Sequence, residues 1–113
     1  MKAIKLTDKN FNREVLPSSK PVLVDIFAHW CNPCKTMLPR VYDAAKEFKG
    51  KAKVYTLDFD KNPKKCAQYK IKSIPTLLLF KNGHVVERIT GIISKRELFK
   101  LMEKHIPKEK IAK

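Results

Sequence analysis

The hexapeptide W-C-N-P-C-K, Trp30 to Lys35, decides how the rest of the chain is read. It follows V-L-V-D-I-F-A, Val22 to Ala28, a nearly continuous apolar and β-branched run of the kind found in strands covered on both faces. Asp25 is the one charge in that run. After the hexapeptide, apolar residues fall at positions 34, 37, 38, 41, 45 and 48, which is helical spacing. Pro39 interrupts this pattern and is expected to kink the helix without ending it, because the periodicity continues beyond it. Gly50 is the expected stop. Cys31 therefore falls where a buried strand gives way to a helix.

That placement has chemical consequences. The free N–H groups of a helix start and the positive end of its dipole both favour a thiolate, which is the nucleophilic form of cysteine. A thiol with an ordinary pKa of about 8.5 is only about 3 % ionised at pH 7. Half ionisation requires a pKa of about 7, roughly 2 kcal/mol of differential stabilisation. The dipole supplies about 0.3–1 kcal/mol, so hydrogen bonds from helix N–H groups or from the Cys34 thiol must provide the remainder. Cys34 lies three residues on, about one turn below Cys31 on the same face, within reach of its sulfur. Pro33 suits a first turn, where no N–H is needed. The pair is thus suited to thiol–disulfide exchange, Cys31 attacking and Cys34 resolving the mixed disulfide.

Three plainer readings compete. A zinc half-site needs a second ligand pair, and only Cys66 and scattered histidines remain to provide it. A permanent structural bridge would close a loop too short to stabilise much through chain entropy. Two unpaired core cysteines are the third alternative, against which the strand–CxxC–helix context argues.

Lys2 to Leu6 alternates like a short strand and Thr7 to Leu16 reads as a short helix with Phe11 and Val15 on one face. Pro17 to Pro21 is a loop. Ala52 to Phe59 is a second core strand, and Asn62-Pro63 caps and opens a short helix carrying Cys66 and Tyr69. Thr76 to Phe80 is a buried strand, and Asn82-Gly83 is a hairpin signal that returns Val85 to Thr90 antiparallel. Ser94 and Glu97 form a capping box for a helix whose stripe is Leu98, Leu101, Met102 and His105. The order β-α-β-α-β-α-β-β-α predicts an α/β fold with parallel strands joined by crossover helices and a hairpin at one side.

Composition bounds the function classes. The 113 residues are enough for one domain with one core, expected over 1–106 and followed by a polar, basic tail at 107–113. Apolar residues make up 43 %, which excludes a disordered chain. No apolar run approaches the roughly 20 residues of a membrane span, and the start lacks the apolar centre of a signal peptide. These features lead to the expectation of a cytoplasmic protein without membrane contact. Three cysteines, an odd number, argue against a secreted disulfide framework. The net charge of +14 steers anionic partners towards the chain. Lysine far outnumbers arginine, however, and is spread along the whole sequence, which argues against a nucleic-acid reader. Lys61 to Lys72 is the densest stretch and the best anion-facing patch.

The motifs V-D-I-F-A-H-W-C-N-P-C-K and S-I-P-T-L-L-L-F-K-N-G, followed by the Gly91 segment, resemble the thioredoxin family over about Lys2 to Ile106. The resemblance implies a thioredoxin fold, an α/β structure with a central mixed β-sheet flanked by helices on both faces. It implies a dithiol–disulfide oxidoreductase that reduces client proteins, binds no metal or organic cofactor, and draws on NADPH indirectly through a thioredoxin reductase. A monomer is expected. The motif places Cys31 and Cys34 as the catalytic pair, with Asn32, Pro33 and Lys35 completing the active-site loop. Asp25 matches the aspartate that lies beneath the pair and assists proton transfer at the second cysteine; its plainer reading is a carboxylate satisfied by hydroxyls or water. Burial should raise its pKa. Pro75 matches a cis-proline facing the cysteines, whose neighbouring backbone pairs with an extended substrate. Trp30, Ile74, Gly91 and Ile92 would complete a largely apolar docking surface.

His29 is expected to be a solvated loop histidine, and if protonated near Cys31 it would lower the thiol pKa. Cys66 is expected to be a small buried apolar residue. Asn32 stands where the family usually has glycine, within a dipeptide that tunes redox potential. Phe27 stands where tryptophan is common, and Thr56 where many members carry a lysine near the buried aspartate, so the Asp25 pKa should rise further. The alternative function is a binding module for an acidic protein or nucleic acid, with the redox pair incidental. Only the net charge favours it.

Overall fold

A computed structural model describes residues 3–107. The expected tail therefore lies outside the described residues apart from Pro107, as does Lys2 of the first strand. The elements in chain order are β1 (Ile4–Leu6), α1 (Phe11–Val15), β2 (Val22–Phe27), α2 (Asn32–Glu47), β3 (Lys53–Asp58), α3 (Pro63–Gln68), β4 (Thr76–Lys81), β5 (His84–Thr90) and α4 (Lys95–Lys104). The five strands form one mixed sheet in the order β1-β3-β2-β4-β5. β3 runs parallel to both β1 and β2, whereas β4 is antiparallel to both β2 and β5. This is the expected α/β architecture with its hairpin at one side.

Strand alternation divides the core into two layers. Val22, Val24 and Ile26 of β2 join Leu78, Phe80, Tyr55 and Leu57 on the face covered by Phe11 and Val15 of α1 and Cys66 of α3. Leu23 joins Leu77, Leu79 and Val54 on the opposite face, beneath Met37, Val41, Ala44 and Ala45 of α2 and Leu98 and Met102 of α4. β2 and β4 are central and covered on both sides, which is why their sequences are almost unbroken apolar runs. Asp25 alternates onto the α2 face with Leu23.

Helix α2 runs unbroken from Asn32 through Pro39 to Glu47, because the buried stripe on either side of the proline holds it to the sheet. The Asn82-Gly83 turn has both residues at positive φ, 53° and 80°, as a two-residue hairpin requires, and pairing begins one residue earlier than expected, at Lys81–His84. The capping box of α4 is present in full, Ser94 Oγ accepting from Glu97 N–H and Glu97 Oε1 accepting from Ser94 N–H. On the α4 stripe Leu98 and Met102 are buried, while Leu101 and His105 are half-buried.

Two expectations need correction. The first helix starts at Phe11, not Thr7. Thr7 and Asn10 satisfy each other instead, Thr7 N–H donating to Asn10 Oδ1 at 2.8 Å and Asn10 N–H donating to Thr7 Oγ1 at 3.2 Å. Such local side-chain bonds compete with helix formation. The expected anion-facing patch at Lys61–Lys72 also loses one member: Lys61, Lys64, Lys70 and Lys72 are exposed, but Lys65 is not. Lys65 is only 8 % exposed. Its Nζ donates to Asn12 Oδ1 at 2.7 Å and Gln68 Oε1 at 2.8 Å and lies over the Phe11 ring. Its charge therefore serves α1–α3 packing and is not presented to a partner.

Candidate active site

β2 ends at Phe27, a short turn follows, and Cys31 is the N-cap of α2. Cys31 takes an extended conformation while its sulfur accepts from Cys34 N–H at 3.2 Å. The helix N–H expected to face the sulfur is thus in place. Pro33 occupies the first turn and lacks an N–H, so it leaves no donor unpaired there. Cys31 and Cys34 are joined as a disulfide, with their Cα atoms 5.3 Å apart. Ala28, Phe27, Phe59 and Ile74 pack around the pair, and both cysteines are buried. Among the described residues no group of three or more His, Cys, Asp or Glu side chains is placed to hold a metal.

Asp25 is completely buried, and neither of its carboxylate oxygens has a hydrogen-bond partner among the described residues. The plainer expectation, a carboxylate satisfied by neighbouring hydroxyls, therefore fails on the protein side. Its strand-register partners are Thr56 on β3 and Leu77 on β4, so it faces α2 between a hydroxyl and an aliphatic side chain. Burial alone raises its pKa from the ordinary 3.8 to about 7. Thr56, its neighbour across the sheet, is buried and carries no charge. A cavity of about 270 Å³ lined by Thr56, Cys34, Phe27, Leu38 and Tyr42, among others, runs beside this row.

The residues expected to dock a client lie on three loops, of which the one carrying Ile74 reaches the cysteine pair. The Ile74–Pro75 peptide bond is cis, and Ile74 packs against the cysteine cluster. Gly91 N–H donates to Pro75 O at 2.8 Å, fastening the two loops together. Gly91 has φ 88°, which only glycine adopts readily. Trp30 and Ile92 are 65 % and 49 % exposed, an unusual state for large apolar side chains, and Ile74 is half-buried. Asn32 and Lys35 are exposed on the first turn of α2.

Three residues of the site escaped the reading of the sequence. Asp60, in the turn after β3, accepts the Trp30 indole N–H at 2.8 Å. Asp58 faces His29, with 3.3 Å between its Oδ2 and Nε2. His29 is exposed as expected, with this carboxylate as its neighbour. Arg40 of α2 donates to Ile93 O at 2.6 Å and ties the Gly91–Ile93 loop to the helix that carries the cysteines. The available signal was D-F-D at 58–60, two acids close together in a strongly basic chain.

Cys66 lies on α3, buried and unpaired, with its thiol pushed up to about 11 by burial first and by the nearby Asp8 and Asp58 charges second. This burial matches the small buried residue expected here. After reduction, two thiols should react with an aromatic disulfide reagent in the native protein, and a third should appear only on denaturation. Three fast thiols in the native state would remove Cys66 from the core.

Comparison with known proteins agrees with this geometry. The family model described as Thioredoxin matches residues 2–104. The chain is 44 % identical to Thioredoxin 1 of Nostoc sp. over 104 residues, which is 92 % of this chain and 97 % of that protein. It is 45 % identical to Thioredoxin of Rickettsia felis over 101 residues, 89 % of this chain and 96 % of that protein. With Thioredoxin of Chlorobaculum thiosulfatiphilum the identity is 43 % over 105 residues, 93 % of this chain and 97 % of the relative. The family match over residues 2–104 and the identity across almost the full length of these relatives, together with a bonded CxxC pair at a helix start in a five-stranded mixed sheet, make the chain a member of the thioredoxin family and a thiol–disulfide oxidoreductase.

Proposed function

We propose that the protein reduces disulfides of client proteins, with Cys31 as the attacking thiol and Cys34 as the resolving one. The observation that carries this order is the position of Cys31 at the N-cap, where its sulfur takes the Cys34 N–H and the field of a 16-residue helix. Reduced Cys31 attacks one client sulfur as a thiolate, and the other client sulfur leaves as a thiolate. Cys34 then gives up its proton and attacks Cys31 Sγ, which closes the internal disulfide and releases the second client thiolate. Asp25, on the sheet face that α2 covers, takes the Cys34 proton during closure and returns it on reopening. A carboxylate with a pKa near 7 suits both directions at neutral pH.

Ile74, Pro75, Gly91, Ile92 and Trp30 form the client platform in this reading, with free backbone beside Pro75 for an extended segment. Asp60 holds the exposed indole in place for it. Asp60→Ala should raise the KM for a protein disulfide a few-fold, at most about tenfold, with kcat changed by less than about twofold, because one exposed hydrogen bond is at stake. Initial rates over a range of client concentrations check this; an unchanged KM removes Asp60 from client binding.

The chemistry needs no bound cofactor beyond the Cys31–Cys34 pair. Electrons would arrive from NADPH through a reductase acting on the same pair. A cytoplasmic protein fits a free Cys66 beside the one CxxC bridge, since such thiols persist in reducing compartments. The binding-module alternative is not favoured, because net charge is all that supports it. Equilibration in glutathione buffers of graded poise, followed by alkylation, tests the main reading. Cys31 and Cys34 should open and close together as a two-electron couple. A pair that stays closed throughout the cytosolic range would make it structural and the proposal wrong.

A further inference from the structure

Asp25 is buried without a bonded partner, so the nearest fixed charge on its own face of the sheet controls how readily it ionises. Strand register identifies the residues in its row. Thr56 is the partner of Asp25 across β2–β3, and Lys5 is the partner of Thr56 across β1–β3. Register partners on adjacent strands project to the same face. Independent burial agrees: Leu6, next to Lys5, belongs to the α1–α3 layer, while Ala3, two residues before Lys5, packs in the α2–α4 layer. Lys5, Thr56 and Asp25 therefore make one transverse row beneath α2. At about 4.8 Å per strand, the Lys5 and Asp25 backbones are about 10 Å apart.

The space above this row is open. The cavity of about 270 Å³ is lined by Lys5 and Thr56 on the sheet side and by Cys34, Lys35, Leu38 and Tyr42 of α2 on the other. Ala3, Phe27, Ala28 and His29 complete its wall. It is roomy and polar enough to hold water between Lys5 and the Thr56 hydroxyl beside Asp25. The titratable groups facing this region are Lys5 from β1, Lys35, Tyr42 and Cys34 from α2, and His29 from the β2–α2 turn. Among the cations, Lys5 is the one held in the Asp25 row by strand pairing. Lys35 is exposed on the first turn of the helix, and His29 is engaged by Asp58.

We infer that Lys5 is a positioning residue for the redox reaction: its ammonium group, acting along the Lys5–Thr56–Asp25 row and its cavity, favours the ionised form of Asp25 and so sets the pH at which that carboxylate accepts the Cys34 proton. The second half of this statement rests on the proton role given to Asp25 above; the first half does not. Lys5 touches neither the client nor the cysteines and acts only through Asp25.

The test separates the two halves. The Asp25 carboxyl carbon is followed by NMR against pH in the reduced full chain, in wild type and in Lys5→Gln, Lys5→Arg and Lys35→Gln. Loss of the Lys5 charge should move the Asp25 midpoint upward by about half a pH unit, given an exposed ammonium acting across two strands. Lys5→Arg keeps the charge and should titrate like wild type; Lys35→Gln should move the midpoint less than Lys5→Gln. The Lys5→Gln shift should shrink in high salt. Superimposable titrations of wild type and Lys5→Gln overturn the inference, as does a larger shift in Lys35→Gln. Closure of a trapped mixed disulfide is then followed over the same pH range. If the midpoint moves and the closure profile moves with it, both halves hold. If the midpoint moves and closure does not, the Lys5–Asp25 coupling stands and Asp25 leaves the proton path.

Discussion

Cys31→Ser protein should reduce insulin with dithiothreitol no faster than dithiothreitol alone, a loss of about 10³-fold or more, the scale on which removal of an attacking group is felt. A serine hydroxyl at the same N-cap still accepts the Cys34 N–H, so the helix start and the fold should survive. Only the ionisable sulfur is lost. Cys34→Ser should behave differently. Its Cys31 can still attack, but the intermediate cannot close, and a one-to-one mixed disulfide with the client should accumulate. The Cys31 and Cys34 single variants therefore separate attack from resolution. If Cys34→Ser were silent and Cys31→Ser formed the adduct, the order of the two thiols would be reversed. If Cys31→Ser retained the wild-type rate, the pair would not be the reactive centre at all.

The second large effect is on stability. Asp25 has a pKa of about 7 in the folded chain and an ordinary value of 3.8 when unfolded. Below pH 4 both states carry the proton and Asp25 contributes no pH dependence. Between the two values the folded state holds a proton that the unfolded state has released, so stability falls as pH rises. Above pH 7 both are ionised and the full penalty is present, of order 4 kcal/mol from a difference of about three pKa units. Asp25→Asn removes the titration and keeps the shape. Its stability relative to wild type should therefore improve from pH 4 to pH 8 by up to about 4 kcal/mol, read from denaturant midpoints at each pH. Parallel stability curves for the two proteins would show that Asp25 ionises as freely in the fold as in the open chain. The same substitution should flatten the pH dependence of mixed-disulfide closure; unchanged closure across pH would remove Asp25 from the proton path. A buried carboxylate kept at such a thermodynamic disadvantage is the kind of locally unfavourable group that functional sites retain.

Much of the centre was legible because its signals are local. The strand, the cysteine spacing and the helical stripe after Cys34 lie within one stretch of chain, and each depends only on near neighbours. The Asn82-Gly83 turn and the Ser94–Glu97 box were readable for the same reason, since turn and cap chemistry is decided over two to four residues. The start of α1 was misread because Thr7 and Asn10 offered the backbone a local alternative that apolar periodicity does not register. Lys65 was misread because a lysine's surroundings are set by distant residues, here Asn12 and Phe11 from another helix.

The amino-acid order by itself determined that this chain builds an alternating α/β sheet and starts a helix at a cysteine with a second cysteine one turn on, because both follow from periodicity and capping within short windows. Only the tertiary structure decided what surrounds that pair. Asp60 reaches Trp30 across 30 positions, Arg40 reaches Ile93 across 53, and Lys5 joins the Asp25 row only because β3 inserts between β1 and β2. Contacts of that separation are set by strand order and register, and they leave no periodic trace in the chain that forms them.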